Sequence, residues 1–166
     1  MENFNIRISN ETDFERIFEI WLENQTEAIG KQVQPAIIGK LKEDLFYLFS
    51  KTPSSIFYVA EAAPDQIIGW QSLIPLFANP LMSKYAAQSS TYVDKKFLNV
   101  DVGTALVKYA VTDAKRLGID HIYGWVRADN HATNKIAGNF KTHKFFIPHS
   151  DSENLGDYNL YILVVE

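Results

Sequence analysis

A chain of 166 residues, 46% hydrophobic and 22% charged, has the size and composition of one globular domain with one core, which excludes a disordered or fibrous protein. Twenty acidic residues outnumber sixteen basic ones, so the molecule as a whole does not concentrate on a polyanion, and neither nucleic acid nor a membrane surface is an expected partner. The absence of cysteine excludes disulfides, thiolate catalysis and cysteine-based metal sites; with no signal pattern in "MENFNIRISN" and no apolar run near the roughly 18 residues of a membrane span, a cytoplasmic protein is expected.

Phe4, Ile6 and Ile8 alternate with polar neighbours and predict a first strand. "TDFE", Thr12 to Glu15, predicts a capping box opening a helix with the buried stripe Phe14, Ile17, Phe18, Trp21 and Leu22. Pro35 suits the first turn of a second helix, whose apolar face carries Ile37, Ile38, Leu41, Leu45 and Leu48 or Phe49. "IFYVAEA" (56–62) and "IIGWQSLI" (67–74), separated by the turn signal "APDQ", predict an antiparallel hairpin. "PLFANPLMSKYA" reads as a loop and "QSSTYV" (88–93) as the next strand. A helix follows over 102–117, with Leu106, Ala110, Ala114 and Leu117 on one face and Gly118 as its stop. "HIYGWV" (121–126) predicts a buried strand, "HATNKIAGNF" a weaker helix from His131, and "FFIP" and "YNLYILVVE" two closing strands. This order of strand, two helices, three strands, helix, strand, helix and two strands implies a single α/β domain over 1–166. Its mixed sheet is packed on both faces, with one β-α-β crossover between 88 and 126. Trp21, Phe46, Phe49, Trp70 and Trp125 are expected to fill the core.

Four segments carry a pattern beyond these periodicities: "GWQSLIPLF" (69–77), "QSSTYV" (88–93), "LNVDVG" (98–103) and "DNHAT" (129–133). Together with the element order they resemble the GCN5-related N-acetyltransferase (GNAT) superfamily over nearly the whole chain, closest to its phosphinothricin acetyltransferase-like members. Those members carry G-W-x-S-x-x-P-F, E-x-S-V-Y-V, R-G-x-G-x-G and D-N-x-A-S. The distance from Gly103 to Leu117 and Gly118 matches the family's helix of about four turns, which sets Gly103 as the last glycine of the phosphate loop.

The resemblance implies a GNAT-like fold and acetyl-CoA as co-substrate, with a small primary amine, amino-acid-like in some relatives, as acceptor, and it allows a homodimer. The amide groups of Leu98, Asn99, Val100, Asp101, Val102, Gly103 and Thr104 would hold the coenzyme pyrophosphate, because a helix start offers unpaired N–H groups and a positive dipole end. The backbone of Thr91, Tyr92 and Val93 would pair with the pantetheine arm, in a splay between this strand and the next. Asn130 and Thr133 would contact the arm from the following helix, where Asn130 can equally act as a cap.

Four features depart from the family pattern, the first being Leu98, which stands where relatives carry a Gln or Arg. Asp101 stands where a glycine is expected, and as a favoured N-cap it either caps a structural helix or leaves the amides to a phosphate; Lys95 and Lys96 lie near enough to offset its charge. Gln88 stands where relatives carry a glutamate thought to be the general base, and an amide cannot accept a proton at neutral pH. That matters because a lysine-like amine, with pKa about 10.4, is protonated at pH 7, a handicap of roughly 4 to 5 kcal/mol. The helix tyrosine that serves relatives as an acid is absent, which leaves His131 and His143 as titratable substitutes. The catalytic candidates are therefore Gln88 and His131. The spacing of His121, His131, His143 and His149 matches no metal site, and none is expected. Asp101 and Gln88 keep a second reading open, a degenerate protein of this fold that senses acyl-CoA or binds a protein partner, and Asp101 as a mere cap keeps open an interaction domain without coenzyme.

Overall fold

The computed structural model describes residues 4–77, 79–98, 101–149 and 156–166. Seven strands form one mixed sheet: β1 (Asn5–Ile8), β2 (Ile56–Ala63), β3 (Gln66–Pro75), β4 (Ala86–Val93), β5 (His121–Arg127), β6 (Thr142–Ile147) and β7 (Tyr158–Val164), in the order β1-β2-β3-β4-β5-β7-β6. Only the β4–β5 pair is parallel, as the crossover requires. The helices are α1 (Phe14–Glu23), α2 (Gln25–Ile29), α3 (Ile38–Ser50), α4 (Pro80–Ser83), α5 (Val102–Leu117) and α6 (His131–Gly138). The expected order holds, with α2 as an addition after α1 and α4 as an addition inside the segment read as a loop. The single turn of α4 forms because Asn79 caps it and Pro80 occupies its first position.

Two clusters share the core, one on each face of the sheet. On one face α1 and α3 bury Phe14, Ile17, Phe18, Ile20 and Leu45 against Phe57, Val59, Ile67 and Trp70. On the other, Leu106, Ala110 and Ala114 of α5 bury against Tyr58, Ala60, Ile68, Leu73 and Ala87. α5 crosses β3 closely at Gly69, where an added Cβ would meet Tyr92 O and Val102 Cγ1, each at 3.1 Å. Several expectations change here. Leu117 is exposed, because the buried face of α5 ends a turn before the left-handed Gly118 cap. Leu45 is the only fully buried residue of α3, because that helix leans on α1 more than on the sheet. Phe46 and Trp125 are exposed rather than core.

The capping box lies two residues earlier than predicted, with Asn10 as N-cap and Asp13 at its third position. Asn10 Oδ1 accepts from Thr12 N (2.9 Å) and Asp13 Oδ2 accepts from Asn10 N (2.7 Å), because Asp13 is also held by Arg7, whose guanidinium donates to both its oxygens at 2.7 and 3.0 Å. Burial pushes the Asp13 carboxyl up, yet its bonds from Arg7 and Asn10 outweigh that and leave it below the ordinary value of 3.8. A folded-state pKa below the unfolded one gives stability that is present above the unfolded value and is lost as pH falls through the folded one. Asp13→Asn is expected to cost about 2 kcal/mol at pH 7, less than a fully stranded buried charge because Arg7 keeps Glu61 at 3.1 Å. Thermal melts from pH 7 to 2 check this: the gap between wild type and variant should close below about pH 4.

Candidate active site

The candidate site is built where β4 and β5 part. They pair from Ala86–His121 to Ser89–Gly124 and no further, although β4 runs on to Val93 and β5 to Arg127. Beyond that vertex β4 stays with β3, from Ser90–Ser72 to Val93–Gly69, while β5 stays with β7, from Trp125–Leu160 to Arg127–Tyr158. The two halves of the sheet therefore diverge around a slot, which is the splay the resemblance implied.

Hydrogen bonding decides which backbone groups face this slot. Leu76 N donates to Ala86 O (3.0 Å) and Asp94 N to Ile68 O (2.9 Å), so even-numbered residues of β4 bond to β3 and the alternate ones point away from it. Thr91 and Val93 thus present N–H and C=O to the slot, whereas the backbone of Tyr92 is engaged with β3 and its ring packs on Trp70 at 4.9 Å. Burial holds the Tyr92 hydroxyl above its ordinary pKa. Asn24, at the α1–α2 junction, donates its side-chain amide to Val93 O at 3.1 Å. The side chains of Ser89 and Thr91 are tied to buried Gln71: Gln71 Nε2 donates to Ser89 Oγ (2.6 Å), and Thr91 Oγ1 donates to Gln71 Oε1. Sequence reasoning missed Gln71, Ser89 and Asn24, because their roles exist only through partners 18 to 69 positions away.

The start of α5 stands beside the slot. Gly103 is buried with ordinary helical geometry, so it is not there for a tight turn. A Cβ on it would lie 2.9 Å from Ile136 Cδ1 of α6 and 3.6 Å from Val93 Cγ2, so glycine lets α5, α6 and β4 converge. Val102 is buried against Gly69, and Thr104 is half-buried. Asp101 is exposed and makes no side-chain capping bond, although its carbonyl accepts from Ala105 N at 3.0 Å. The first-turn amides are thus not taken by that carboxylate. Leu98 is exposed, and Asn99 and Val100 lie outside the described residues. Lys95 does not serve Asp101, since it pairs with Glu27 at 2.8 Å.

Asn130 caps α6, accepting from Thr133 N at 3.1 Å. Its neighbour Asn134, which no sequence pattern singled out, joins three elements. Asn134 Nδ2 donates to Arg127 O (2.8 Å) and Asn130 O (2.7 Å), while its Oδ1 accepts from Asn159 Nδ2 and Tyr161 Oη, each at 2.8 Å.

Face assignment separates the catalytic candidates. Ala87 and Val93 of β4 pack in the α5 cluster and Tyr92 in the α1 cluster, so Gln88 stands on the face opposite α5, exposed, one residue before the vertex. His131 begins α6, which packs on the α5 face, and is exposed there, so it is not brought together with Gln88. His143 does share the face of Gln88, but the row runs Gln88, Tyr123, Ile162, His143 across four strands, about 14 Å in the plane of the sheet. The titratable group directly beside Gln88 is Tyr123, which alternation alone could not place because register decides the neighbour. At the open end, Arg127 donates to both oxygens of Asp129, which holds that carboxyl below its usual range and raises the guanidinium. Among the described residues no three histidine, aspartate or glutamate side chains gather as a metal site.

The family model described as acetyltransferase (GNAT) family matches residues 14–137. No curated protein sequence matches the chain closely enough to count as a relative. Among solved structures, the chain is similar to a GNAT superfamily phosphinothricin acetyltransferase from Sinorhizobium meliloti in complex with acetyl-CoA, with TM-score 0.81, 12% identity and coverage of 99% of this chain and 89% of that one. A GCN5-related N-acetyltransferase from Kribbella flavida gives TM-score 0.80 and 18% identity, covering 97% of each chain. A ribosomal-protein-alanine N-acetyltransferase from Brucella melitensis gives 0.77 and 16%, covering 96% and 99%. These identities speak for the fold.

Proposed function

The chain belongs to the acetyltransferase (GNAT) family, and on that premise we propose that it transfers an acetyl group from acetyl-CoA to the primary amine of a small molecule by direct attack. The observation that carries this reading is the slot beyond Ser89–Gly124, with the backbone of Thr91 and Val93 turned into it and the start of α5 at its side. Acetyl-CoA supplies an activated thioester. The residues fit such a co-substrate: Gly103 keeps the first turn of α5 free of a side chain that would press on Ile136, and the amides of Val102, Gly103 and Thr104 suit a phosphate. Thr91, and the N–H of Val93 whose carbonyl accepts from Asn24, offer strand-edge groups to an amide-bearing arm.

The amine approaches from the face opposite α5, where Gln88 is exposed. Gln88 orients the amine or a water through its amide, without taking the proton, and positioning supplies most of the acceleration. The N–H groups beside the vertex stabilise negative charge developing on the carbonyl oxygen. Among the described residues none on this face is a ready base at the place of Gln88, which is why catalysis should favour acceptors with a larger free-amine fraction.

Calorimetry with CoA and acetyl-CoA tests the reading, with one site per chain expected; absence of heat for either ligand would end it. Thr104→Glu separates fold from binding. A carboxylate in the first turn of α5 stabilises the helix by about 0.3–1 kcal/mol and opposes a phosphate at the same place. The variant should melt no lower than wild type and bind CoA at least tenfold more weakly. An unchanged affinity would move the phosphate elsewhere. Normal CoA binding with no amine-dependent thiol release would favour the acyl-CoA sensor that an amide at position 88 allows.

A further inference from the structure

The face of the sheet on which Gln88 stands continues past the vertex as an aromatic surface. Odd residues of β5 lie there, because Ile122 and Val126 are turned to the buried side. Trp125 is the first residue beyond Gly124, and it is 49% exposed although β5 is an inner strand. Its row across the sheet is Trp125, Leu160, Phe145, the last 50% exposed. Tyr123, one step back on the same face, neighbours Gln88. An indole on an inner strand with half its surface in solvent is costly to leave bare, and Trp125 stands two residues along β5 from Tyr123, the partner of Gln88, about 8 Å from Gln88 in the plane of the sheet, so this ring lies within reach of a molecule held at Gln88. The far end is closed by Arg127. Its guanidinium fills the space over Gly30 and Gly156, where a Cβ would lie 1.8 and 3.4 Å from Arg127 Nη1, and its forked bonds occupy Asp129.

Resting on the acetyltransferase reading, we propose that the acceptor is a monoamine carrying an aromatic ring, which lies on Trp125 while its amino nitrogen stands beside Gln88. The reaction forms the N–C bond to the acetyl carbon and breaks the C–S bond; of the two protons the ammonium loses, one goes to solvent and the other, through water, to the leaving thiolate, which departs as CoA thiol. A planar group covers the indole at ring-stacking distance, and a protonated amine is drawn to the same π surface before it loses its proton. Among the described residues the carboxylate at that end, Asp129, is already bidentate with Arg127, so a second ammonium group finds no free anion there and polyamines and amino sugars are the wrong class. The continuity of the aromatic row with the vertex selects a small acceptor over a second copy of the chain.

The test uses the full chain, acetyl-CoA and thiol release with phenethylamine, propylamine, spermidine and glucosamine, with CoA affinity measured in parallel. Phenethylamine should exceed the other three in kcat/KM by at least tenfold. Trp125→Ala should raise its KM about tenfold with little change in kcat and collapse its preference over propylamine, and Trp125→Phe should restore most of it. Overturning results are spermidine or glucosamine as the best acceptor, no turnover of phenethylamine by a chain that binds CoA, or a Trp125→Ala effect equal on all amines. A dimer in sedimentation that Trp125→Ala converts to monomer would give the face to a second copy and overturn the proposal as well. Loss of CoA binding by the wild-type chain would instead strike the acetyltransferase reading beneath it.

Discussion

Asn134→Leu is expected to destabilise the protein by about 3 to 5 kcal/mol and lower its melting temperature by on the order of 10 °C. The replacement has nearly the same volume, so the loss comes from hydrogen bonds and not from a cavity. Removing the amide strands the side chains of Asn159 and Tyr161, both buried, and the carbonyls of Arg127 and Asn130. Each stranded buried group costs about 1 to 3 kcal/mol, less where water reaches it. Tyr161→Phe is the control: alone it removes one donor, and combined with Asn134→Leu it should add little, because the partner is already gone. A fully additive double variant would mean that Asn134 is not the shared hub. Since Asn134 ties α6 to the end of β5, and α6 abuts Gly103, CoA affinity should fall with it.

Gln88→Glu is expected to raise kcat/KM by roughly 10- to 100-fold at pH 7, toward the lower part of the range for a positioned general base. Gln88 is exposed, one residue before the vertex, so a carboxylate there has room and stays hydrated. With an ordinary pKa of about 4.3 it is ionised throughout pH 6–9 and competent as a base. The sign of the pH effect follows. Wild-type kcat/KM should climb about tenfold per pH unit toward the amine pKa, because only the free amine reacts, and the variant, whose carboxylate does not titrate in this window, should follow the same slope at a higher level. A pH–rate profile with phenethylamine or propylamine reads both. An unchanged level would mean that the amine proton leaves without passing position 88, and attention would shift to Tyr123.

Local pattern carried much of the fold. Short apolar runs gave β2, β3 and β5 within a residue or two, β2 and β3 being buried on both faces, and the 3.6-residue period gave α1 and α5, because each of these helices buries one face. It failed where a neighbour overrode it. β4 begins at Ala86, two residues earlier than predicted, because Leu76 pairs with it there, and β6 begins at Thr142, three residues before "FFIP", because β7 supplies partners as far as Leu163. The mixed sheet and its crossover were legible from element order. That α1 and α3 cover only the first half of one face, leaving Trp125 exposed, was not.

The site divides in the same way. "DVG" at the head of α5 announced a helix start stripped of side chain, a backbone property that a glycine writes directly into the sequence. Whether Asp101 would close that start was not written there, since capping depends on where the carboxylate points, and in the fold it makes no capping bond. Gln88 and His131 were both nameable as polar candidates, yet only strand alternation within a paired sheet puts them on opposite faces. What the chain determined by itself was the succession of elements and the helix start at Gly103, because both depend on spacing within a dozen residues, whereas the convergence of α5, α6 and β4 on that glycine depends on the distant Ile136. What the tertiary structure alone decided was the parting of β4 from β5 after Ser89–Gly124, because each strand there keeps the partner on its outer side and loses the inner one.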